Sequence, residues 1–288
     1  MSEQLSPQKW AFRITHVLNQ VLGSERFPIN VGEVAKEYSR TIAPDDPVTL
    51  IQGDSLPGFE AGLYKAPPGK KGWGIIYNKD IVSPGRINYT LAHELGHYLQ
   101  HRLLYPDGIQ CGEKDLYRWD SEYRQIEYQA NQFAANLLMP LDDYRRQIDP
   151  KNKISIEEIG FAADRYGVSL LAVVLRWIEF TEQRAVLIVS RSGYILWARS
   201  SGRAFKSGAY IKTVGVPPVS VPAASLAAGQ GVIDDDTARS GRSFDGGVWF
   251  GDPCHELAIY SGQYDFVISV VQLPRTAECP YEEMRILK

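Results

Sequence analysis

His93-Glu94-Leu95-Gly96-His97 sets two imidazoles four residues apart with a carboxylate beside the first. On a helix, positions i and i+4 lie on one face a turn apart, so both rings reach a single ion. Two neutral imidazoles plus one carboxylate suit zinc and leave a fourth position for water, which a hydrolytic site needs. Glu94 is then placed to take a proton from that water rather than to bind the ion, while the ion polarises a scissile carbonyl. Peptide-bond hydrolysis is the chemistry this spacing serves. Leu91, Leu95 and Leu99 each lie two residues from a histidine, about 200° round a helix of ~100° per residue. The spacing therefore predicts a helix with a core face and a metal face.

A third protein ligand is required, and the carboxylates downstream are Asp107, Glu113, Asp115, Asp120, Glu122 and Glu127. Glu127 is favoured because it opens a helical run, Glu127 to Pro140, whose small Ala130, Ala134 and Ala135 permit close approach to the Gly96 region. A short metal bond between two helices needs such packing.

The two runs together carry a resemblance. Arg86-x-x-Tyr89-Thr90-x-Ala92-His93-Glu94-Leu95-Gly96-His97, followed by Glu127-x-x-Ala130-Asn131-x-Phe133-Ala134-Ala135-x-Leu137-Leu138-Met139-Pro140, is similar to the ImmA/IrrE family of metallopeptidases. The likeness spans about residues 30 to 140. It implies one zinc ion (manganese as a substitute in vitro) on His93, His97 and Glu127, with Glu94 catalytic. It implies a protein substrate, typically a helix-turn-helix transcriptional repressor whose cleavage relieves repression in a stress or mobile-element response. It also implies a variable C-terminal domain, sometimes ligand-sensing.

Neighbouring residues read as support. A third-histidine version of the motif needs glycine at 100 and histidine at 103, where Gln100 and Leu103 stand, so His101 reads as a structural or supporting hydrogen-bonder. Asn131, one turn after Glu127, fits either a residue that orients a ligand, the favoured reading, or one that bonds backbone where the helices pack, and Met139 is expected to fill a core gap. Tyr89, Tyr98, Arg86 and Tyr128 are all open as donors to a developing oxyanion. The run Gly72 to Asn78 fits either an edge strand that pairs with an extended substrate or a core strand. His255-Glu256 begins like the zinc motif without its second histidine and reads as a strand start.

The elements that must position these residues follow from periodicity and turn chemistry. Helices are expected over Pro7 to Leu22, Val31 to Tyr38, Ser83-Pro84 to about Leu104, and Ser121 to Leu138, where Pro140 stops the last. Strands are expected at Val48 to Gln52, Gly58 to Tyr64 and Trp73 to Asn78. Residues 141–181 read as a helix-turn-helix-like segment around Tyr166-Gly167-Val168, but its second helix carries one basic residue, Arg176, among apolar ones, so direct DNA binding is not expected. An alternative reading keeps that segment as the DNA contact of a non-proteolytic zinc regulator. Four strand-like runs, Ala185 to Val189, Tyr194 to Arg199, Leu257 to Tyr260 and Phe266 to Leu273, make residues 182–288 mostly β or α+β. The expected class is α+β: a zincin-like core over 1–140, the helical segment 141–181, and the C-terminal unit 182–288, for which the resemblance implies a regulatory role.

Composition bounds the rest. The chain has 288 residues, 44% of them hydrophobic, and a formal net charge of −3, so no general basic footprint predisposes it to nucleic acid or an anionic membrane. Pro217, Pro218, Pro222, Gly215, Gly229 and Gly231 interrupt the uncharged stretch Val214 to Ile233, which argues for a loop rather than a span. The N-terminus lacks the apolar run of a secretory signal, and Cys111, Cys254 and Cys279 are too scattered for a disulfide framework. A cytoplasmic protein with reduced thiols is expected.

Overall fold

The computed structural model describes residues 5–112, 121–229, 235–262 and 265–275. They fall into two compact units: Met1–Tyr144 with Ala162–Ser169, and Arg145–Phe161 with Leu170–Lys288.

The first unit begins with α1 (Pro7–Leu22), where the Ser6 hydroxyl accepts the Lys9 N–H, and α2 (Val31–Ile42), where the Asn30 side chain accepts the Glu33 N–H. These caps satisfy N–H groups that the first helical turn leaves orphaned. Next come β1 (Val48–Asp54), β2 (Phe59–Lys65), β3 (Trp73–Asn78), α3 (Pro84–His101), β4 (Gly108–Gly112) and α4 (Ser121–Leu138). The strands form one sheet in the order β1-β3-β2-β4, with β1 parallel to β3 and β2 antiparallel to both of its neighbours. Trp73–Asn78 is thus an interior strand, and the edge-strand option for it is withdrawn.

The helix α3 starts as expected, with Ser83 capping Arg86 N–H and Pro84 in the first turn. It differs in exposure: every residue from Ala92 to His101 is buried, so it has no free metal face. The cause is its surroundings, since α1, α2 and α4 and the strands β2 and β3 all pack against it. Its polar groups therefore bond inward, Tyr98 Oη donating to the Asp46 carbonyl at 2.7 Å and Gln100 Nε2 to the Gly96 carbonyl at 3.2 Å.

Two close approaches fix this helix. A Cβ on Gly96 would lie 3.1 Å from Phe133 Cδ1 and 3.2 Å from Ala130 Cα, so α4 rides directly over the glycine. A Cβ on Gly85 would lie 2.7 Å from the Val168 carbonyl carbon, placing the turn after Tyr166 hard against the first turn of α3. Asp143 anchors that turn by accepting from Arg165 Nε at 2.9 Å and Tyr166 Oη at 2.7 Å.

The second unit draws on α5 (Leu141–Gln147) and α6 (Ile156–Tyr166), which straddle the division, and on α7 (Leu170–Phe180). It continues with β5 (Ala185–Arg191), β6 (Tyr194–Ser200), α8 (Gly202–Lys206), β7 (Val219–Ser220), α9 (Asp235–Ser240), β8 (Arg242–Phe244), β9 (Cys254–Ser261) and β10 (Phe266–Gln272). An antiparallel sheet runs β7-β6-β5-β10-β9-β8. Its central strand β5 is buried from Ala185 to Ser190: Val186 and Ile188 join one core, and α7 packs on the strand as well. Burial on both faces explains why β5 reads as a continuous apolar run instead of alternating.

Glu256, 0% exposed, holds one end of that core together. Its carboxylate accepts from the Leu226 and Ala227 N–H groups, Trp249 Nε1 and Ser269 Oγ at 2.8–3.1 Å. Burial and the Glu256 charge push the free Cys254 thiol up to about 11, which suits a reduced packing residue. The side chain of Cys111 and all of Cys279 lie outside the described residues. No helix of the described residues is long and apolar enough to cross a membrane.

Candidate metal centre

The helices α3 and α4 bring three donors together. His93 Nε2 and His97 Nε2 lie 3.0 Å apart, Glu127 Oε2 is 3.2 Å from the first, and Glu127 Oε1 is 3.2 Å from the second. A tetrahedral ion with bonds of ~2.0–2.1 Å separates its ligands by roughly 3.3 Å, so the spacing fits one small cation at the centre. Among the described residues this is the group of His, Cys, Asp and Glu side chains close enough to share a metal ion.

The outer nitrogens are held as well. His93 Nδ1 lies 3.1 Å from Asn131 Oδ1, which also accepts from Tyr89 Oη at 3.0 Å. His97 Nδ1 lies 3.1 Å from His101 Nδ1, and His101 Nε2 lies 2.8 Å from Gln129 Oε1. With protons on the Nδ1 atoms, both Nε2 lone pairs point at each other and at a carboxylate. That convergence is repulsive unless a positive charge sits between them.

The electrostatics agree. Burial drives His93 down, but hydrogen bonding to Glu127 and the charges of Glu94 and Glu127 outweigh it, so the ring is raised above the usual imidazole value. Burial lowers His97 to about 4, helped by His93 and His101 and opposed by Glu127. Burial alone would raise Glu127, yet its bonds to His93 and His97 win and hold it well below the ordinary carboxylate range. The cluster thus keeps an ionised carboxylate and favours a single positive charge.

Glu94 is fully buried next to His93 and acts on it through its charge. Of the other downstream carboxylates, Asp107 is exposed and not in the cluster. Glu113, Asp115, Asp120 and the side chain of Glu122 lie outside the described residues. Met139 is buried in the core as expected.

The four tyrosine and arginine candidates separate. Tyr98 is spent in the core on Asp46, Arg86 pairs with Glu60, and Tyr128 is 60% exposed. Tyr89 is tied to the cluster through Asn131. Gln129 was not foreseen. Nothing in its type or spacing marks it, because its role depends on His101 reaching across from α3 one turn beyond the motif.

Comparison with known proteins covers much of this framework. Residues 56–177 match the family model described as Peptidase_M78, the IrrE N-terminal-like domain. No match was found among curated proteins. Among solved structures, a Mycobacterium tuberculosis transcriptional regulator aligns at 15% identity with a TM-score of 0.48, over 93% of this chain and 76% of that one. The matched family supports a metallopeptidase-type enzyme acting on protein, with an α+β framework of a zincin-like domain and a C-terminal β unit. Residues 56–177, which contain α3 and α4 with all three donors, are thus the part of the chain that is similar to the ImmA/IrrE family.

Proposed function

We propose that the protein is a zinc-dependent endopeptidase in which His93, His97 and Glu127 hold the ion, Glu94 is the general base, and the substrate is a helix-turn-helix repressor. The observation that carries this reading is the convergence of three donor atoms, each imidazole backed by its own hydrogen bond, beside a buried glutamate. When bound, zinc acts as a Lewis acid that makes water acidic near neutral pH and polarises the scissile carbonyl. Glu94 takes the proton of the attacking water on its carboxylate and returns it to the leaving amine. Asn131 and His101 keep the two rings turned toward the centre. Tyr89, whose hydroxyl donates to Asn131 beside the cluster, is the donor we assign to the developing oxyanion, exchanging that bond for one to the new oxyanion.

The repressor substrate rests on the family resemblance and fits a cytoplasmic protein. Residues 182–288 are assigned to regulation of cleavage on the same ground. The alternative of a DNA-contacting regulator draws no support from α7: Val173, Val174, Trp177 and Ile178 are buried, and Arg176 is buried and paired with Glu179. A duplex needs exposed basic and polar side chains.

The test is Glu94→Gln assayed on a helix-turn-helix repressor encoded beside this gene. The expected result is retained zinc with cleavage slower by about 10²–10⁴-fold, the usual worth of a general base. A variant that keeps zinc and cleaves at the wild-type rate rejects Glu94 as the base. Salt-dependent binding to promoter DNA without cleavage would favour the regulator instead.

A further inference from the structure

A neutral imidazole has one N–H, and His97 serves as a ligand through Nε2 only if that proton sits on Nδ1. The proton then needs an acceptor, and the atom facing it at 3.1 Å is His101 Nδ1. His101 Nδ1 accepts only while His101 carries its own proton on Nε2. That proton faces Gln129 Oε1 at 2.8 Å, and a carboxamide oxygen only accepts. The direction of the chain is therefore set at its far end. Were Gln129 to present its NH₂ group, His101 would donate through Nδ1, and His97 would carry its proton on Nε2, where the ion belongs.

Burial makes the chain binding on both rings. His97 is 0% and His101 1% exposed, so neither ring meets bulk water in the folded protein. His93 uses a shorter version, with Asn131 Oδ1 accepting from Nδ1 directly. The helix α4 thus supplies one ligand, Glu127, and the acceptors Gln129 and Asn131 for the two ligands on α3.

We propose that Gln129 is a positioning residue for the metal centre, acting through His101 to hold His97 in the Nδ1–H tautomer with Nε2 bare. The proposal rests on the reading of His93, His97 and Glu127 as metal ligands. Its far member lies two positions from Glu127, outside the H-E-x-x-H motif.

The tautomers are read in the metal-free full-length protein by long-range ¹H–¹⁵N correlation, and zinc affinity by competition with a fluorescent chelator. The wild type is expected to show His97 as Nδ1–H and His101 as Nε2–H. Gln129→Met, close in shape and unable to accept strongly, should weaken zinc binding by about 10- to 100-fold and shift His97 toward Nε2–H. Gln129→Glu restores an acceptor and should return both tautomer and affinity to within a few-fold of wild type. A structural role alone would lower thermal stability in Gln129→Met while leaving tautomer and affinity unchanged, and that result overturns the proposal. So does Gln129→Glu behaving no better than Gln129→Met. Should Gln129→Met not fold, the wild-type spectrum decides, because an Nε2–H His97 overturns the relay by itself. Failure of the metal reading is separate: it is a wild type that shows these tautomers yet binds no zinc.

Discussion

At the scale of single residues, the proposed metal reading makes the centre a competition between one proton and one ion for the same lone pairs. His93 is raised by Glu127 and Glu94 against its burial, so below that raised value it carries a proton the ion must displace. His97, lowered to about 4, is already neutral near pH 6 and gives up none, and Glu127 is already ionised. Zinc affinity should therefore rise as pH increases through the range where His93 loses its proton, then level off. Titration calorimetry near pH 6 in buffers of different ionisation enthalpy should report release of about one proton per ion, declining toward zero at higher pH. Release of two would mean that His97 is also protonated and that its burial does not govern it. The convergence of His93 and His97 was legible because their type and four-residue spacing are a chemical requirement written locally. Glu127 emerged from six carboxylates because small residues follow it. Gln129 was not legible, since amide acceptors are common on helices and only the folded distance of 2.8 Å gives this one a role.

At the scale of elements, the site depends on how closely α4 can approach α3. Gly96 meets Phe133 and the backbone of Ala130 at 3.1–3.3 Å from where its Cβ would stand, so a branched side chain there must push the helices apart. Gly96→Val is expected to cost about 1–3 kcal/mol in urea unfolding, as overpacking does, and to weaken zinc binding by moving Glu127 away from the histidines. Wild-type affinity in a folded Gly96→Val protein would show that Glu127 does not depend on this contact. Gly85 faces backbone atoms of Val168 at 2.7–3.0 Å, where no rotamer can give way. Gly85→Ala should destabilise the protein despite the better helix propensity of alanine, a reversal of sign that thermal melts can detect. The long helices and seven principal strands were foreseeable from periodicity and caps, with ends shifted by a few residues. The short elements were not: β4, five residues at the sheet edge, and α5, seven residues after Pro140, are too brief to establish a period, as are α8, β7, α9 and β8. The all-round burial of α3 from Ala92 to His101 also escaped the sequence, because histidine, glutamate and glutamine look like a solvent face until their partners are known.

At the scale of the molecule, the chain divides by contact rather than by sequence order, since residues 162–169 belong with the first unit and residues 145–161 with the second. Such exchange is invisible to composition, which changes smoothly along residues 141–181. The division has an energetic consequence that Glu256 can expose. Its buried carboxylate satisfies four donors within the second unit, namely two backbone N–H groups, an indole and a hydroxyl. Glu256→Leu removes the acceptors for all four while keeping a similar volume, and each hydrogen bond to a charged group is worth about 1.5–3 kcal/mol. Because the donors share one carboxylate and part of the loss is recovered by water entering, the expected cost is about 3–5 kcal/mol rather than the full sum. The three metal donors belong to the first unit, so in the folded population zinc affinity should stay within about twofold of wild type if the sites are independent. Urea unfolding followed by fluorescence gives the first quantity and chelator competition at low urea the second. A loss of zinc affinity comparable to the loss of stability would mean that the second unit's core and the metal centre share one cooperative network, and it would make residues 182–288 part of the peptidase itself and not an appended regulator.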